Sequence, residues 1–127
     1  MPSVRGERGE RGARARRTGR RGEVLCVLWL MAKGYRILGF RLRTPQGEID
    51  LLASKGKVVA VVEVKRRARL EDALDAVSLR QRERLLRAAA QLVARYPKLA
   101  GAAIRLDLIA LAPGRLPRHI VDAWRDS

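Results

Sequence analysis

The sequence predicts an α/β domain: a mixed sheet of about five strands with helices packed on it, in the order helix, three strands, helix, two strands. Three observations predict it. Residues 57–65 read KVVAVVEVK, with Val58, Ala60, Val62 and Val64 on one strand face and Val59 and Val61 on the other. A strand apolar on both faces is a central strand covered on both sides. Lys55-Gly56-Lys57 reads as a tight turn into that strand from a preceding one. Leu79 to Arg95 reads as a helix between the central strand and a further strand, Ala103 to Leu111. A strand–helix–strand link of this kind returns parallel, by a right-handed crossover.

Taken in order, Met1 to Arg21 holds eight arginines against two glutamates, a net +6 of the chain's +15. Such an Arg/Gly-rich segment has no apolar surface to bury. Residues 1–21 are therefore expected to be a disordered basic arm and residues 22–127 a single domain. A helix follows from about Arg20 to Lys33, closed by Gly34 as its C-terminal cap. Its apolar run, Val24 to Ala32, goes nearly all round, so burial of most of the helix is expected. Tyr35 to Arg43 alternates as a first strand, with Tyr35, Ile37 and Gly39 on one side. Thr44-Pro45-Gln46-Gly47 is a turn, and Glu48 to Ala53 the second strand. Leu70 to Ala76 is acidic and reads as a short helix or a loop. On the long helix, Leu86, Ala89, Ala90 and Val93 form the expected apolar stripe, and Gln81, in line with Leu85, Ala88 and Leu92, is expected to point inward. Pro97 stops that helix, and His119 to Trp124 reads as a short fifth strand.

A net charge of +15 calls for an anionic partner, nucleic acid first and a membrane surface second. No apolar run reaches the length of a membrane span. Val24 to Ala32 follows a basic stretch, as the core of a secretory signal would. Glu23 opens it, however, Lys33 closes it, and no small-residue cleavage site follows, so a cytoplasmic protein without a membrane partner is expected. The single cysteine, Cys26, excludes an internal disulfide and reads as an inert core residue.

The chemistry concentrates in Gly47 to Lys65, where Glu48, Asp50, Glu63 and Lys65 interrupt an apolar run. Glu63 and Lys65 share a strand face and continue the row of Val59 and Val61. A hairpin turning at Gly56 can bring Asp50 near Glu63. Charges at the end of a covered strand are costly unless paired or bound to a metal. Two carboxylates can hold Mg²⁺, which prefers oxygen ligands, and a lysine beside them can orient the attacking water. The bland reading of Glu63-Val64-Lys65 is a same-face surface ion pair. Arg66, Arg67, Arg69, Arg80, Arg84 and Arg87 form either a solvated face or a set of phosphate contacts. Arg105 and Asp107 share a strand face and read as a structural pair. His119 reads as packed at a strand edge or exposed, and Trp29 and Trp124 as core or partner surface.

Gly22-Glu23, Gly34-Tyr35-Arg36-Ile37-Leu38, Gly47-Glu48-Ile49-Asp50-Leu51-Leu52, Glu63-Val64-Lys65-Arg66-Arg67, Arg105-Leu106-Asp107 and His119 to Trp124 together resemble the YraN-like family of small bacterial proteins. The resemblance covers roughly residues 19 to 126. That family is similar to PD-(D/E)XK nucleases and archaeal Holliday junction resolvases. The likeness implies a restriction-endonuclease-like three-layer α/β/α fold. It also implies that Asp50, Glu63 and Lys65 match the catalytic motif, with Glu23 as an additional acid from the first helix and Gln81 on the following helix. Asp50, Glu63 and Glu23 would then be the ligands of Mg²⁺ or Mn²⁺. Ile49 stands where the superfamily commonly has proline, and Gln81 where the family pattern has lysine nearby.

The expectation is a metal-dependent endonuclease acting on DNA, structured or branched, rather than RNA, with a homodimer suited to a two-fold substrate. The alternatives are a non-catalytic nucleic-acid-binding module on the same fold and a basic accessory protein of an RNA complex.

Overall fold

The computed structural model describes residues 22–125, so the arm expected over residues 1–21 lies outside them. Helix α1 runs over residues 22–32. Gly34 ends it with φ +92°. The Gly34 amide reaches the Met31 carbonyl and the Tyr35 amide the Leu30 carbonyl, each at 3.0 Å, which closes the last turn as a left-handed glycine cap does.

Strands β1 (Arg36–Thr44), β2 (Gly47–Lys55) and β3 (Val58–Arg66) form an antiparallel meander. The chain then crosses over through α2 (Leu70–Asp75), α3 (Leu79–Ala94) and a 3₁₀ turn (Pro97–Leu99). It returns as β4 (Ala103–Leu111), parallel to β3, and β5 (Arg118–Ile120) pairs antiparallel to β4. The sheet order is β1-β2-β3-β4-β5.

The alternation of β3 builds two cores. Val59 and Val61, with Ile49, Leu52 and Leu106, meet Leu85, Ala88, Ala89 and Val93 of α3. Ala60 and Val62, with Leu51, Ala53 and Ile109, meet Cys26 and Leu30 of α1. The four residues Val59 to Val62 are fully buried. Each buried valine contributes about 1.5–3 kcal/mol relative to exposure. The result is a three-layer α/β/α domain of the restriction-endonuclease-like kind.

Three expectations need correction. Helix α1 is not mostly buried: Cys26 and Leu30 face the sheet, whereas Val24, Leu25, Leu28 and Met31 are exposed. A sheet covers only one side of a helix, and no described element lies on the other. The α3 stripe is rotated from the expected one. Ala89 and Val93 are buried, but Leu85 and Ala88 complete the row, while Leu86 is 39% exposed and Ala90 is exposed. The fifth strand stops at Ile120, because Asp122 turns left-handed (φ +52°) and sends its amide to Asp107.

Candidate functional site

The site lies where two strands part. The ladder between β2 and β3 runs from Lys55↔Val58 to Leu51↔Val62 and stops. Beyond it β2 stays with β1 through Ile49↔Leu42 to Gly47↔Thr44, and β3 stays with β4 through Arg66↔Leu111. Asp50 and Glu63 are the first residues past the fork. Instead of a backbone ladder, the Val64 amide donates to Asp50 Oδ2 at 2.9 Å.

Glu63 follows Val59 and Val61 toward α3 and is only 4% exposed. Ser78 caps α3, its Oγ accepting the Gln81 amide at 3.1 Å. That cap fixes Gln81 in the first turn, and its Nε2 donates to Glu63 Oε2 at 2.9 Å. Lys65 Nζ lies 3.6 Å from the same oxygen. Burial, the Asp50 charge and a hydrogen bond shared with Asp50 push the Glu63 carboxyl from 4.5 up to about 8, against the pull of Lys65. Asp50, Glu63, Lys65 and Gln81 are thus brought together as expected.

Two clefts flank this cluster. One, of about 290 Å³, is lined by Gly22, Glu23, Asp50, Lys65, Arg66 and Arg67. The other, of about 210 Å³, is lined by Gln81, Arg84 and Glu48 among others. Gly22 matters to the first: a Cβ there would run into the Arg66 guanidinium. Glu23 reaches the same cleft but is ion-paired with Arg41, a residue of left-handed backbone (φ +49°). Arg69 lies in an exposed pair with Glu71, 3.6 Å apart. Arg80, Arg84 and Arg87 are exposed along α3.

Among the described residues, no three Asp, Glu, His or Cys side chains are grouped to hold a metal ion by themselves. The donor set fits Mg²⁺ all the same, since this ion binds through one or two carboxylates and fills its shell with water and phosphate oxygens. Val64, Gln81 and Lys65 engage one oxygen of each acid, Asp50 Oδ2 and Glu63 Oε2, leaving the other oxygen of each for a cation or a shared proton. Glu23 would have to leave Arg41 to join as a third ligand.

Sequence reasoning missed Ser78 and Arg41. Ser78-Leu79-Arg80-Gln81 carries the capping pattern that could have located the first. Arg41 leaves no local signal, because its partner is 18 positions away. Cys26 is fully buried, and burial raises its thiol to about 12, as an inert core residue requires. The Arg105–Asp107 pair is present and belongs to a larger knot. Asp107, fully buried, accepts from Arg105 Nε and Nη2 and from His119 Nε2, each at 2.8 Å, and from the Asp122 amide at 2.9 Å. A carboxylate only accepts, so His119 carries its proton on Nε2 and its Nδ1 accepts from Lys33 at 2.8 Å.

Residues 22–111, which hold the whole fork, match the uncharacterised protein family UPF0102. The chain belongs to this family. Its members include a protein of Caulobacter vibrioides that is 68% identical over 104 residues, 82% of this chain and 83% of the relative. One from Parvibaculum lavamentivorans is 50% identical, over 83% of this chain and 79% of the relative. One from Paramagnetospirillum magneticum is 49% identical, over 83% and 87%. Each is called a UPF0102 protein, so the family adds no activity to the geometry. Among the described residues, no helix is long and apolar enough to cross a membrane.

Proposed function

We propose that this protein is a metal-dependent endonuclease that hydrolyses phosphodiester bonds in DNA, structured or branched. The observation that carries the reading is the fork. Two carboxylates, one buried, meet a lysine between two clefts, in a chain of net charge +15. Placing a buried acid beside a second carboxylate is costly, and a site that binds a cation offsets that cost.

Asp50 and Glu63 would hold Mg²⁺ or Mn²⁺. The cation supplies a water of lowered pKa and a positive charge beside the scissile phosphate. Lys65 orients the attacking water, and its ammonium offsets negative charge on the phosphate oxygens. Gln81 fixes the Glu63 rotamer. Arg66, Arg67, Arg80 and Arg84 contact backbone phosphates on either side of the fork without reading bases. A homodimer would bury the exposed α1 row of Val24, Leu28 and Met31, which recurs at helical spacing and holds no charge.

The test is cleavage of four-way, flapped, single-stranded and linear duplex DNA with Mg²⁺ or Mn²⁺, with Glu63→Gln and Lys65→Ala proteins as controls. Metal-dependent cleavage lost in both variants supports the reading. Tight DNA binding by all three proteins with no cut in any substrate would refute catalysis on DNA and favour a binding module.

A further inference from the structure

We propose that the cavity between β1 and the C-terminal end of α3 binds a small amphipathic anion, its apolar body on a leucine floor and its acid head at a rim of three cations. The cavity has a volume of about 680 Å³. Ligand sites commonly measure roughly 300–1,000 Å³. Leu38 and Leu42 of β1, Leu52 of β2 and Val59 of β3 form the floor, and Leu92 and Leu99 line the side.

The hollow follows from the fold. Helix α3 packs on β2, β3 and β4 and leaves the inner face of the edge strand β1 uncovered. Leu38, Leu42, Leu92 and Leu99 remain only partly buried there. Arg36, Lys57 and Lys98 stand on the rim, all exposed, and among the described residues no Asp or Glu lines the cavity. The clefts beside the fork differ in having acids in their lining, Glu48 in one and Glu23 and Asp50 in the other. Val59 precedes Glu63 by four residues, about 13 Å along a strand, so the two sites lie toward opposite ends of β3.

The floor and rim select the ligand class. A nucleic-acid backbone has no use for a leucine floor. An added peptide strand needs a regular edge, and β1 carries a register shift between Ile37 and Gly39 and a left-handed Arg41, devices that blunt an edge against pairing. A compact body with one carboxylate, sulfonate or phosphate uses both features.

The test is fluorescence titration of the full chain with anilinonaphthalene sulfonate, itself an apolar body with an anionic head, displaced by decanoate or by decanol. Decanoate is expected to displace the dye at roughly tenfold lower concentration than decanol. In the doubly substituted Arg36→Glu, Lys98→Glu protein that advantage disappears while decanol is unaffected. Ala102→Trp, which fills the cavity from its margin, abolishes dye binding while circular dichroism stays that of wild type. The proposal is overturned if decanol matches decanoate on wild type or if the rim variant keeps the preference. It is equally overturned if the dye binds Ala102→Trp unchanged, or if decanoate acts only by dissociating a dimer, which would make a second copy the occupant.

Discussion

Asp107→Asn tests the anchor that holds β4, β5 and the end of α1 together. Four donors converge on the two oxygens of Asp107, two from Arg105, one from His119 and one from the Asp122 backbone. The amide keeps the shape but removes the charge and turns an NH₂ toward a donor. Breaking one partner of a buried ion pair costs about 3–5 kcal/mol. A domain of this size loses roughly 4 °C of melting temperature per kcal/mol, so a drop of about 12–20 °C is expected at pH 7. The pH dependence gives a second reading of the same interaction. Burial works against the charged form, but the bonds from His119, Arg105 and Asp122 hold the carboxyl at about 2, below its ordinary 3.8. The unfolded chain therefore takes up the proton first as pH falls. The stabilisation is complete above about pH 4 and is lost toward pH 2, a change of roughly 2 kcal/mol. Thermal melts followed by circular dichroism at pH 7, 4 and 2.5 measure both effects, with the gap between wild type and variant narrowing, but not closing, toward the lowest pH. A variant melting within about 3 °C of wild type at pH 7, where a 3 kcal/mol loss should be unmistakable, would refute this account of the knot.

Four further outcomes are expected. Glu63→Gln removes a carboxyl held near 8, so wild type should lose stability relative to the variant as pH rises from 4.5 through 8, and urea titrations at pH 5 and 9 measure the difference. Ser78→Ala should cost about 1 kcal/mol in the same titration and should lower cleavage by loosening Gln81. Cys26 should resist thiol reagents at pH 8 in the folded protein and react at once in denaturant; equal rates would contradict its burial. Leu28→Glu, at a side chain 57% exposed, should leave the circular dichroism spectrum that of wild type while shifting sedimentation from dimer to monomer.

The central strand was legible because β3 is apolar on both faces and is preceded by a glycine turn, and Gly56 indeed sits at φ +60°. The cap at Gly34 was legible for the same local reason. The rotation of α3 was not. Leu85-Leu86 and Ala88-Ala89-Ala90 allow two stripes about 100° apart on a helix, and tertiary packing chooses between them. The exposed side of α1 was illegible because an all-round apolar helix does not say which side meets the sheet. Within the site, Asp50, Glu63, Lys65 and Gln81 were found from strand alternation, hairpin geometry, helix phase and family resemblance. The Arg41–Glu23 pair and the His119–Lys33 bond, 18 and 86 positions apart, depend on how elements pack, and no local pattern reports that.

Mn²⁺ binding tests the central claim most directly, because the fork is read as a divalent-cation centre before it is read as a nuclease. Paramagnetic titration of wild type, Glu63→Gln and Asp50→Asn measures it without requiring turnover. The account predicts a Mn²⁺ site on wild type that is lost in both variants while their circular dichroism is unchanged. Mn²⁺ bound equally by all three proteins, or by none, would contradict it.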